Sequence, residues 1–547
     1  MRTNGTLFAG VALLAAAAAG LAQTKSASPL ASLTTRPERT AYRETSRYQD
    51  VIEFLQALRA AAPKTVHLTT FGYTVEGRSL PLAVLGAPDA TPEAVRRSGK
   101  LRVYIQANIH AGEVEGKEST QTLLRDLARG RHADWLSSMV LLVAPIYNAD
   151  GNERVSLTNR GRQHGPLGGM GQRANAQDLD LNRDHVKLES PEARSLIRFM
   201  NEYDPHVCLD LHTTNGSFHA YHLTYAPPLN PATDPAIIDL LRREWLPTVT
   251  SAIKANDGWD FYYYGNVVGP GRGGLAGGGA ARRDPASSGP ERIWATFDHR
   301  PRFNNNYVGL RNRIAILSEA YAYLTFEERI RATSRFVEEN LAFAHAQAPS
   351  IRRLLDEADR RTLVGSQLGV RAELQPSPQP VDILMGEVVE EQNPYSGQML
   401  YRRAGTSAPE RMIEQGTFRP TESERVPAAY YVPGNLRNAI DRLRAHGIAA
   451  TSLQTRETRQ VEEFRIDGNE VAAREFQGHK ERTLRGAWVP AERELPAGTL
   501  RIDMSQPLAR LAFYLLEPRS DDGLVNWNLL DEALGPEART YPIVRTP

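Results

Sequence analysis

Cysteine is nearly absent from this sequence: Cys208 is the only one among 547 residues, so no intrachain disulfide can form. An excess of charge of either sign is also missing, because 65 Lys and Arg residues stand against 64 Asp and Glu residues. Such a chain has no overall electrostatic attraction for nucleic acid or for an anionic membrane. Cys208 lies in the apolar run HVCLDL, which favours a small core residue over a nucleophile.

Long apolar runs are missing after the N-terminus, so no later segment is expected to span a bilayer. At the N-terminus, Arg2 precedes the apolar segment LFAGVALLAAAAAGLA, and the polar residues QTKSAS follow it. The small residues Gly20 and Ala22 suit a signal-peptidase site. We therefore expect a signal peptide over residues 1–22, cleavage near Gln23, and a periplasmic or secreted protein. An uncleaved membrane anchor is the alternative.

The contents of hydrophobic residues (41%) and charged residues (24%) are typical of a globular protein, and the length predicts two or three domains. The Pro-rich segment RAELQPSPQPVD predicts a linker. After the signal peptide we assign an N-terminal extension to residues 23–45, a main domain to 46–355, a linker to 356–380 and a C-terminal domain to 381–547.

Strands and helices alternate through the predicted main domain. The strands include LRVYIQANI, MVLLVAPIYNADG, HVCLDLHTT and RIAILSEAYAY, and the helices include RYQDVIEFLQALRAAAP, SPEARSLIRFMNEYDP, DPAIIDLLRREWLPTVTSAIKAND and TFEERIRATSRFVEENLAFAHA. This alternation predicts a three-layer α/β domain with a mixed, mostly parallel sheet. A smaller α+β or β-rich C-terminal domain is predicted from the short strands ILMGEVVE, AAYYVP, EEFRI, TLRIDM and LAFYLLEP and the helix NLRNAIDRLRAHG.

Chemically reactive side chains follow or end several of these strands. His110 and Glu113 follow LRVYIQANI, His212 ends HVCLDLH, and Glu319 lies in the otherwise apolar RIAILSEAYAY. Ligands of open α/β sheets bind outside the carboxyl ends of the strands, so we expect these side chains to share one site.

A histidine and a carboxylate separated by two residues can bind one Zn²⁺ ion, and His110 and Glu113 have this spacing. The spacing alone is weak, so a third ligand is needed from another strand. His212 is our choice because it follows an apolar strand as His110 does, whereas His219 and His222 are expected to be surface or pocket-lining residues.

The segment DLDLNRDHVKLESPEA contains groups that suit substrate binding. Asn182 and Arg183 offer an amide and a planar guanidinium, a suitable pair for a carboxylate. Asp178 and Asp180 are candidates for orienting a metal-bound histidine through its second ring nitrogen. Glu319 is the candidate base, because a glutamate among apolar residues is rare unless it is paired or functional.

The ordered motifs HAGE, NADG, TNR and DLNRD, followed by a strand ending in histidine and a late strand bearing glutamate, resemble the zinc carboxypeptidases of the carboxypeptidase A superfamily over about residues 45–345. The resemblance implies a carboxypeptidase-like catalytic domain with zinc ligands at His110, Glu113 and His212, and with Glu319 as general base.

The same resemblance implies that Asn182 and Arg183 bind the terminal carboxylate of the substrate and that Asp180 orients the first histidine ligand. It also implies an arginine that stabilises the oxyanion, for which Arg160 and Arg162 both remain candidates. Tyr307, in FNNNYVGLRNR, is the candidate for the family's active-site tyrosine, although it lies closer to Glu319 than the family spacing predicts.

We therefore predict a secreted or periplasmic zinc-dependent metallocarboxypeptidase that hydrolyses C-terminal peptide bonds through a zinc-activated water, with Glu319 as general base. The alternatives are a zinc amidohydrolase or endopeptidase acting on cell-wall peptides or N-acyl amino acids, and a non-catalytic peptide-binding module. The expected partner is a peptide or protein substrate. The Gly-rich run over residues 265–285 lacks the Gly-Lys-Ser/Thr ending of a phosphate loop and predicts a loop near the cleft.

Overall fold

A computed structural model describes residues 29–214, 216–268 and 292–547. The predicted signal peptide and most of the Gly-rich run lie outside the described residues.

The strands of the described residues are named in chain order. They are β1 (His67–Tyr73), β2 (Ser79–Leu85), β3 (Leu101–Ala107), β4 (Met139–Ala144), β5 (Val207–Thr214), β6 (Leu223–Ala226), β7 (Phe261–Tyr263), β8 (Asn266–Val268), β9 (Ile293–Ala295), β10 (Ile314–Tyr321), β11 (Gln367–Gln375), β12 (Val381–Gln392), β13 (Met399–Gln415), β14 (Thr417–Arg425), β15 (Ala429–Val432), β16 (Thr451–Ser452), β17 (Glu457–Val471), β18 (Arg482–Leu495), β19 (Leu500–Asp503) and β20 (Val544–Arg545).

The helices are named in the same way. They are α1 (Pro29–Ser32), α2 (Arg36–Arg39), α3 (Tyr48–Ala61), α4 (Pro92–Arg97), α5 (Glu115–Ala128), α6 (Trp135–Ser138), α7 (Ala149–Glu153), α8 (Pro191–Tyr203), α9 (Pro235–Leu240), α10 (Leu246–Asp257), α11 (Asn304–Leu310), α12 (Phe326–Ala346), α13 (Ala348–Arg360), α14 (Arg437–Ala445) and α15 (Ala509–Leu516). A 3₁₀ turn (Leu181–Arg183) and a π-helical segment (Leu241–Trp245) complete them.

The main sheet has eight strands in the order β1-β2-β4-β3-β5-β10-β6-β7. Its central strands β4, β3, β5 and β10 run parallel to one another, whereas β1, β2 and β6 make antiparallel pairs. This arrangement confirms the predicted α/β fold with a mixed, mostly parallel sheet.

Alternate residues of the central strands enter two separate hydrophobic clusters. In β3, Val103 and Ile105 pack with residues of α3, α5 and α12, whereas Tyr104 packs with residues of α8. Because successive side chains of a strand point to opposite faces, these two clusters lie on the two sides of the sheet. The result is the expected three-layer arrangement of helices, sheet and helices.

Local signals in the sequence account for several helix starts. Ser190 caps α8 by accepting a hydrogen bond from the backbone N–H of Ala193 through its Oγ (3.0 Å). Thr325 and Glu328 form the predicted capping box at the start of α12. The long helix predicted after residue 234 is confirmed, because α9, the π-helical segment and α10 follow one another without a break.

The segment LAFYLLEP corrects one strand prediction, because these residues lie mainly in helix α15 rather than in a strand. Every residue of α15 is buried. A short, continuous apolar run fits a buried helix as well as a buried strand, so periodicity could not separate them.

The C-terminal region is strand-rich, and it packs against the main domain through a shared core. One hydrophobic cluster contains Leu196 of α8 together with Leu443 of α14, Phe464 of β17 and Leu515 of α15. The sheet β12-β13-β9-β8 also joins strands from both sides of the expected boundary. The segment predicted as a linker, residues 356–380, contains the end of α13 and all of β11.

Among the described helices, none is both long enough and apolar enough to cross a bilayer.

A buried ion pair that joins the two regions provides a test of this shared core. Arg510 of α15 donates from Nη2 to Asp234 Oδ2 (2.9 Å), and both side chains are almost completely buried. We expect Arg510→Met to lower the free energy of unfolding by about 3 kcal/mol, because it leaves a buried carboxylate without its main partner. Urea denaturation measures this change.

The control is Arg243→Met, which removes an exposed pair with Asp239 and should change the same free energy by less than about 0.5 kcal/mol. Equal free energies of unfolding for Arg510→Met and Arg243→Met would contradict a core that is shared by the two regions.

Candidate active site

Three neighbouring parallel strands, β3, β5 and β10, bring the candidate residues to one edge of the sheet. His110 follows β3 by three residues, His212 lies near the end of β5, and Glu319 lies near the end of β10. In the pairing of β10 with β5, Glu319 is directly opposite His212. Strands pair at about 4.8 Å, and directly opposite residues face the same side of the sheet, so these two side chains are neighbours.

The turn after β3 places His110 and Glu113 together. Asn108 adopts a left-handed backbone conformation (φ 64°), which asparagine tolerates better than most residues. Its Nδ2 donates to the carbonyl oxygens of Ala111 (3.2 Å) and Glu113 (3.3 Å). The chain therefore reverses within a few residues, and both candidate ligands point to the same side.

The structure brings His110, Glu113 and His212 into one buried cluster. Glu113 lies between the two rings, with Oε1 at 3.0 Å from His110 Nδ1 and Oε2 at 2.9 Å from His212 Nδ1. The two Nδ1 atoms are 3.3 Å apart, and one ligand atom from each residue lies within 4.8 Å of the others. Two imidazoles and a carboxylate are the donors of a catalytic zinc site that keeps an open position.

The second ring nitrogen of each histidine faces a carboxylate. His110 Nε2 is 3.1 Å from Asp180 Oδ1, and His212 Nε2 is 3.0 Å from Asp210 Oδ2. Metal-ligating histidines have such partners, which fix the ring orientation and the tautomer. Asp180 was predicted from the sequence and Asp210 was not, although Asp210 is only two residues from His212 in the same strand. The other candidate, Asp178, is exposed.

The electrostatics of the cluster favour a bound cation. Burial lowers the pKa of His212, but the nearby carboxylates of Asp210 and Glu113 outweigh burial. The net effect raises this pKa well above its ordinary value. Burial raises the pKa of Glu113, but His110 and Arg160 outweigh it and hold this pKa well below its ordinary value. Both shifts mean that positive charge among these residues is stabilised, which fits a Zn²⁺ site.

Glu319 has the environment of a proton acceptor beside this cluster. Burial raises the pKa of its carboxyl to about 8, with His212 opposing the shift and Glu113 adding to it. Its Oε2 has no hydrogen-bond partner among the described residues, and the side chain is partly exposed. A carboxyl group with this pKa and no other hydrogen-bond partner can exchange a proton with a substrate.

Of the two arginine candidates, only Arg160 contacts the cluster. Its Nη1 donates to Glu113 Oε1 (2.9 Å), and its Nη2 donates to the carbonyl oxygen of Thr213 (2.6 Å). Arg162 is exposed and lies over the ring of Tyr401, with its Cζ 5.5 Å from the ring centroid. The structure therefore places Arg162 away from the cluster.

A third arginine, Arg173, lies at the cluster and was missed by the sequence analysis. Its Nε donates to Asp180 Oδ2 (3.0 Å), and its Nη1 is 3.3 Å from His110 Nδ1. The side chain is 48% exposed, so its remaining donors are available to a substrate. Its position in the same loop as Asp180 was a signal that could have identified it.

Asn182 and Arg183 follow Asp180 in a 3₁₀ turn that Asp180 caps. Asn182 Oδ1 accepts a hydrogen bond from the backbone N–H of Asn304 (2.9 Å), so its amide nitrogen is the end that can donate to a substrate. The guanidinium of Arg183 lies over the ring of Phe303, with Cζ 3.8 Å from the centroid.

The structure corrects the expectation for Tyr307. Its side chain is fully buried, and its hydroxyl is 2.8 Å from His446 Nδ1, so it is inaccessible to a substrate. Tyr264, which was not predicted from the sequence, lies near Glu319. The negative charge of that carboxylate adds to the effect of burial and raises the pKa of the Tyr264 hydroxyl.

The other histidines of the same segment lie elsewhere. His219 packs on Tyr321, with ring centroids 4.2 Å apart, and His222 stacks on Trp259 at 5.3 Å. His219 is buried and His222 is partly buried, and neither histidine belongs to the described metal-binding group.

Comparison with known proteins identifies related sequences. The family model described as zinc carboxypeptidase matches residues 51–244. Carboxypeptidase 2 from Trichophyton equinum is 24% identical over 502 residues, which cover 88% of this chain and 82% of the relative. This alignment must extend well into the C-terminal region. Human carboxypeptidase D is 30% identical over 189 residues, covering 28% of this chain and 14% of the relative.

Solved structures show a more distant similarity. A metallo-carboxypeptidase from Burkholderia cenocepacia aligns with a TM-score of 0.38 and 16% identity, covering 56% of this chain and 70% of that structure. Carboxypeptidase A from Helicoverpa armigera aligns with a TM-score of 0.39 and 15% identity, covering 56% and 75%.

Metal content tests the proposed ligand set. We expect the purified protein to contain about one zinc per chain and His212→Ala to lose most of it at micromolar free zinc, because two remaining ligands bind far more weakly than three. Elemental analysis after dialysis measures the content. His222→Ala is the control and should retain the metal; unchanged zinc in His212→Ala would refute the assignment.

Proposed function

Residues 51–244 belong to the zinc carboxypeptidase family, and we propose that the protein is a zinc-dependent metallocarboxypeptidase that removes C-terminal residues from peptides. The observation that carries this proposal is the cluster of His110, Glu113 and His212, with Glu319 opposite His212 in the neighbouring strand. The cluster supplies a metal site, and Glu319 supplies a base. Both are needed for hydrolysis of an amide by an activated water.

His110, Glu113 and His212 would hold the zinc ion. When bound, Zn²⁺ acts as a Lewis acid towards a peptide carbonyl and lowers the pKa of water. Asp180 and Asp210 keep the two imidazoles in the orientation and tautomer that metal binding requires, because each accepts from the outer ring nitrogen.

Glu319 would accept a proton from the attacking water and donate it to the leaving amine. Its pKa, raised to about 8, lies close to the pH at which most enzymes operate, which suits a group that must both accept and release a proton.

Arg173 and Arg160 would have different tasks. Both Nη atoms of Arg160 already donate to Glu113 and to the Thr213 carbonyl oxygen, so Arg160 holds the ligand Glu113 in place. Arg173 is exposed beside His110, and its free donors can stabilise the negative charge that develops on the carbonyl oxygen.

Asn182 and Arg183 would bind the terminal carboxylate of the peptide. Arg183 is held by the Phe303 ring and by a bond from its Nη1 to the Asn182 carbonyl oxygen (2.7 Å), and the side chain remains 20% exposed. A positioned guanidinium next to an amide donor recognises a carboxylate through charge-assisted hydrogen bonds. This recognition restricts hydrolysis to the end of a chain.

We further propose export to a periplasm or the exterior, supported by the Arg2 and Ala-rich N-terminal sequence and its small residues at the cleavage position.

The base assignment is tested by Glu319→Gln. We expect this variant to keep its zinc but to lose hydrolysis by a factor of about 10³, because general acid–base catalysis contributes about 10²- to 10⁴-fold. Single-turnover rates on a short peptide, together with metal content, measure the two effects. Glu327→Gln changes an exposed glutamate of α12 and should behave as the parent protein. A Glu319→Gln variant with parental activity would exclude the assignment.

The exopeptidase assignment is tested with two peptides that differ only in having a free or an amidated C-terminus. We expect kcat/KM to be about 10- to 100-fold higher for the free acid, the range that one charged hydrogen-bonded contact supplies. In Arg183→Met this preference should disappear, whereas Arg162→Met should retain it. Equal cleavage of both peptides by the parent protein would instead favour the endopeptidase or amidohydrolase alternative.

A further inference from the structure

We propose that the turn between β17 and β18, residues 472–481, forms one wall of the pocket that receives the C-terminal residue of the substrate. In this proposal Phe476 and Gln477 select peptides that end in an apolar or aromatic residue. The inference rests on the proposed carboxypeptidase function, and it gives the C-terminal region a role in that function.

Gln477 brings the turn to the site. Its Oε1 accepts a hydrogen bond from the backbone N–H of Asp180 (2.9 Å), 297 residues away in sequence. Asp180 is the carboxylate partner of His110 and caps the turn that carries Asn182 and Arg183. Gln477 therefore lies next to the segment that would bind the end of the substrate.

The backbone of Gln477 is in a left-handed conformation (φ 50°), which is uncommon for a residue other than glycine. Such conformations persist where surrounding contacts determine them, and they are frequent at ligand-binding sites. Here the conformation directs the side chain back towards Asp180.

Phe476 presents an apolar surface at the same place. Its ring lies near the guanidinium of Arg302 (5.1 Å from Cζ to the centroid) and tilts against Trp527 (6.3 Å between centroids), yet the residue remains 38% exposed. Arg302 directly precedes Phe303, whose ring supports Arg183. Because the next residue, Gln477, contacts Asp180, the exposed Phe476 ring is available to contact the side chain beside the substrate carboxylate.

The turn is held in place by ion pairs and backbone bonds. Arg302 donates from Nη2 to Glu481 Oε1 (2.6 Å), and His479 Nε2 is 2.7 Å from Glu189 Oε1. Phe476 and His479 exchange backbone hydrogen bonds of 2.8 and 3.0 Å. A wall fixed in this way can discriminate between side chains, because its shape is set before the substrate binds.

The charges around the turn explain the expected preference. Arg302 is paired with Asp522 and Glu481, and Glu189 is paired with Lys187 and His479. These groups already have partners, so none of them compensates a charged terminal residue for its desolvation. An apolar or aromatic side chain has no charge to desolvate, and it gains contact with the Phe476 ring.

The test uses the zinc-loaded full-length protein and peptides that differ only in their last residue: Phe, Leu, Ala, Arg or Glu. We expect the parent protein to prefer Phe and Leu. Phe476→Ala should lower the ratio of kcat/KM for Phe-ended over Ala-ended peptides by about 10-fold, the value expected when an aromatic contact is lost. Glu475→Ala, an exposed change in the same turn, should leave the ratio of Phe-ended over Ala-ended peptides unchanged.

A second variant adds charge rather than removing contact. Phe476→Lys should raise the ratio of kcat/KM for Glu-ended over Arg-ended peptides by about 10-fold, which loss of folding or of zinc cannot produce. Gln477→Ala should change the ratios in the same direction as Phe476→Ala. Thermal melting and metal content confirm that the variants are folded and loaded.

The outcomes separate the inference from the function on which it rests. Hydrolysis by the parent protein with ratios that no change at Phe476 or Gln477 alters would overturn the inference and leave the proposed function intact. A zinc-loaded parent protein that hydrolyses none of the peptides would overturn both.

Discussion

The parallel pairing of β3, β5 and β10 is the constraint on which the site depends. Parallel strands end at the same edge of a sheet, so a histidine after β3, a histidine in β5 and a glutamate in β10 meet there. A shift of one residue between β5 and β10 would turn Glu319 to the opposite face, away from His212. The two hydrophobic clusters on the faces of the sheet oppose such a shift, because it would exchange side chains between two packed faces.

Around this edge, charged side chains are arranged in alternating sign. Glu113 lies between two histidines, each histidine faces an aspartate on its outer side, and Arg160 and Arg173 complete the ring. Buried charges are costly unless they are paired, and the exception in this cluster is Glu319, whose Oε2 has no hydrogen-bond partner among the described residues although His212 lies opposite it. That exception is located where a base is required, which makes the cluster more than a structural ion-pair network.

Much of the fold could be predicted from the sequence because periodicity is local. The strands that carry His110, His212 and Glu319 show as apolar runs, and the structure brings these three residues together as expected. Contacts between distant segments could not be predicted in this way. Tyr307 lies in a motif-like segment, yet the fold buries it against His446, which is 139 residues further along.

Arg173 was missed although it lies only seven residues before Asp180, because its contact with His110 forms only in the folded loop. The prediction of a strand for LAFYLLEP was wrong because every residue of the segment is buried. Without an alternation of apolar and polar residues, the sequence does not distinguish a helix from a strand. The linker and domain boundary were inferred from composition, which carries no information on the shared core that joins α8 to α14 and α15.

The shared core also has a consequence for the order in which the protein matures. The proposed zinc ligands are all synthesised in the first half of the chain, but Asp522, which anchors Arg302 beside the proposed carboxylate-binding pair, is near the end. A growing chain can therefore acquire its metal ligands long before its substrate-binding end is supported. Binding of the substrate's terminal carboxylate would therefore depend on the last segment of the chain.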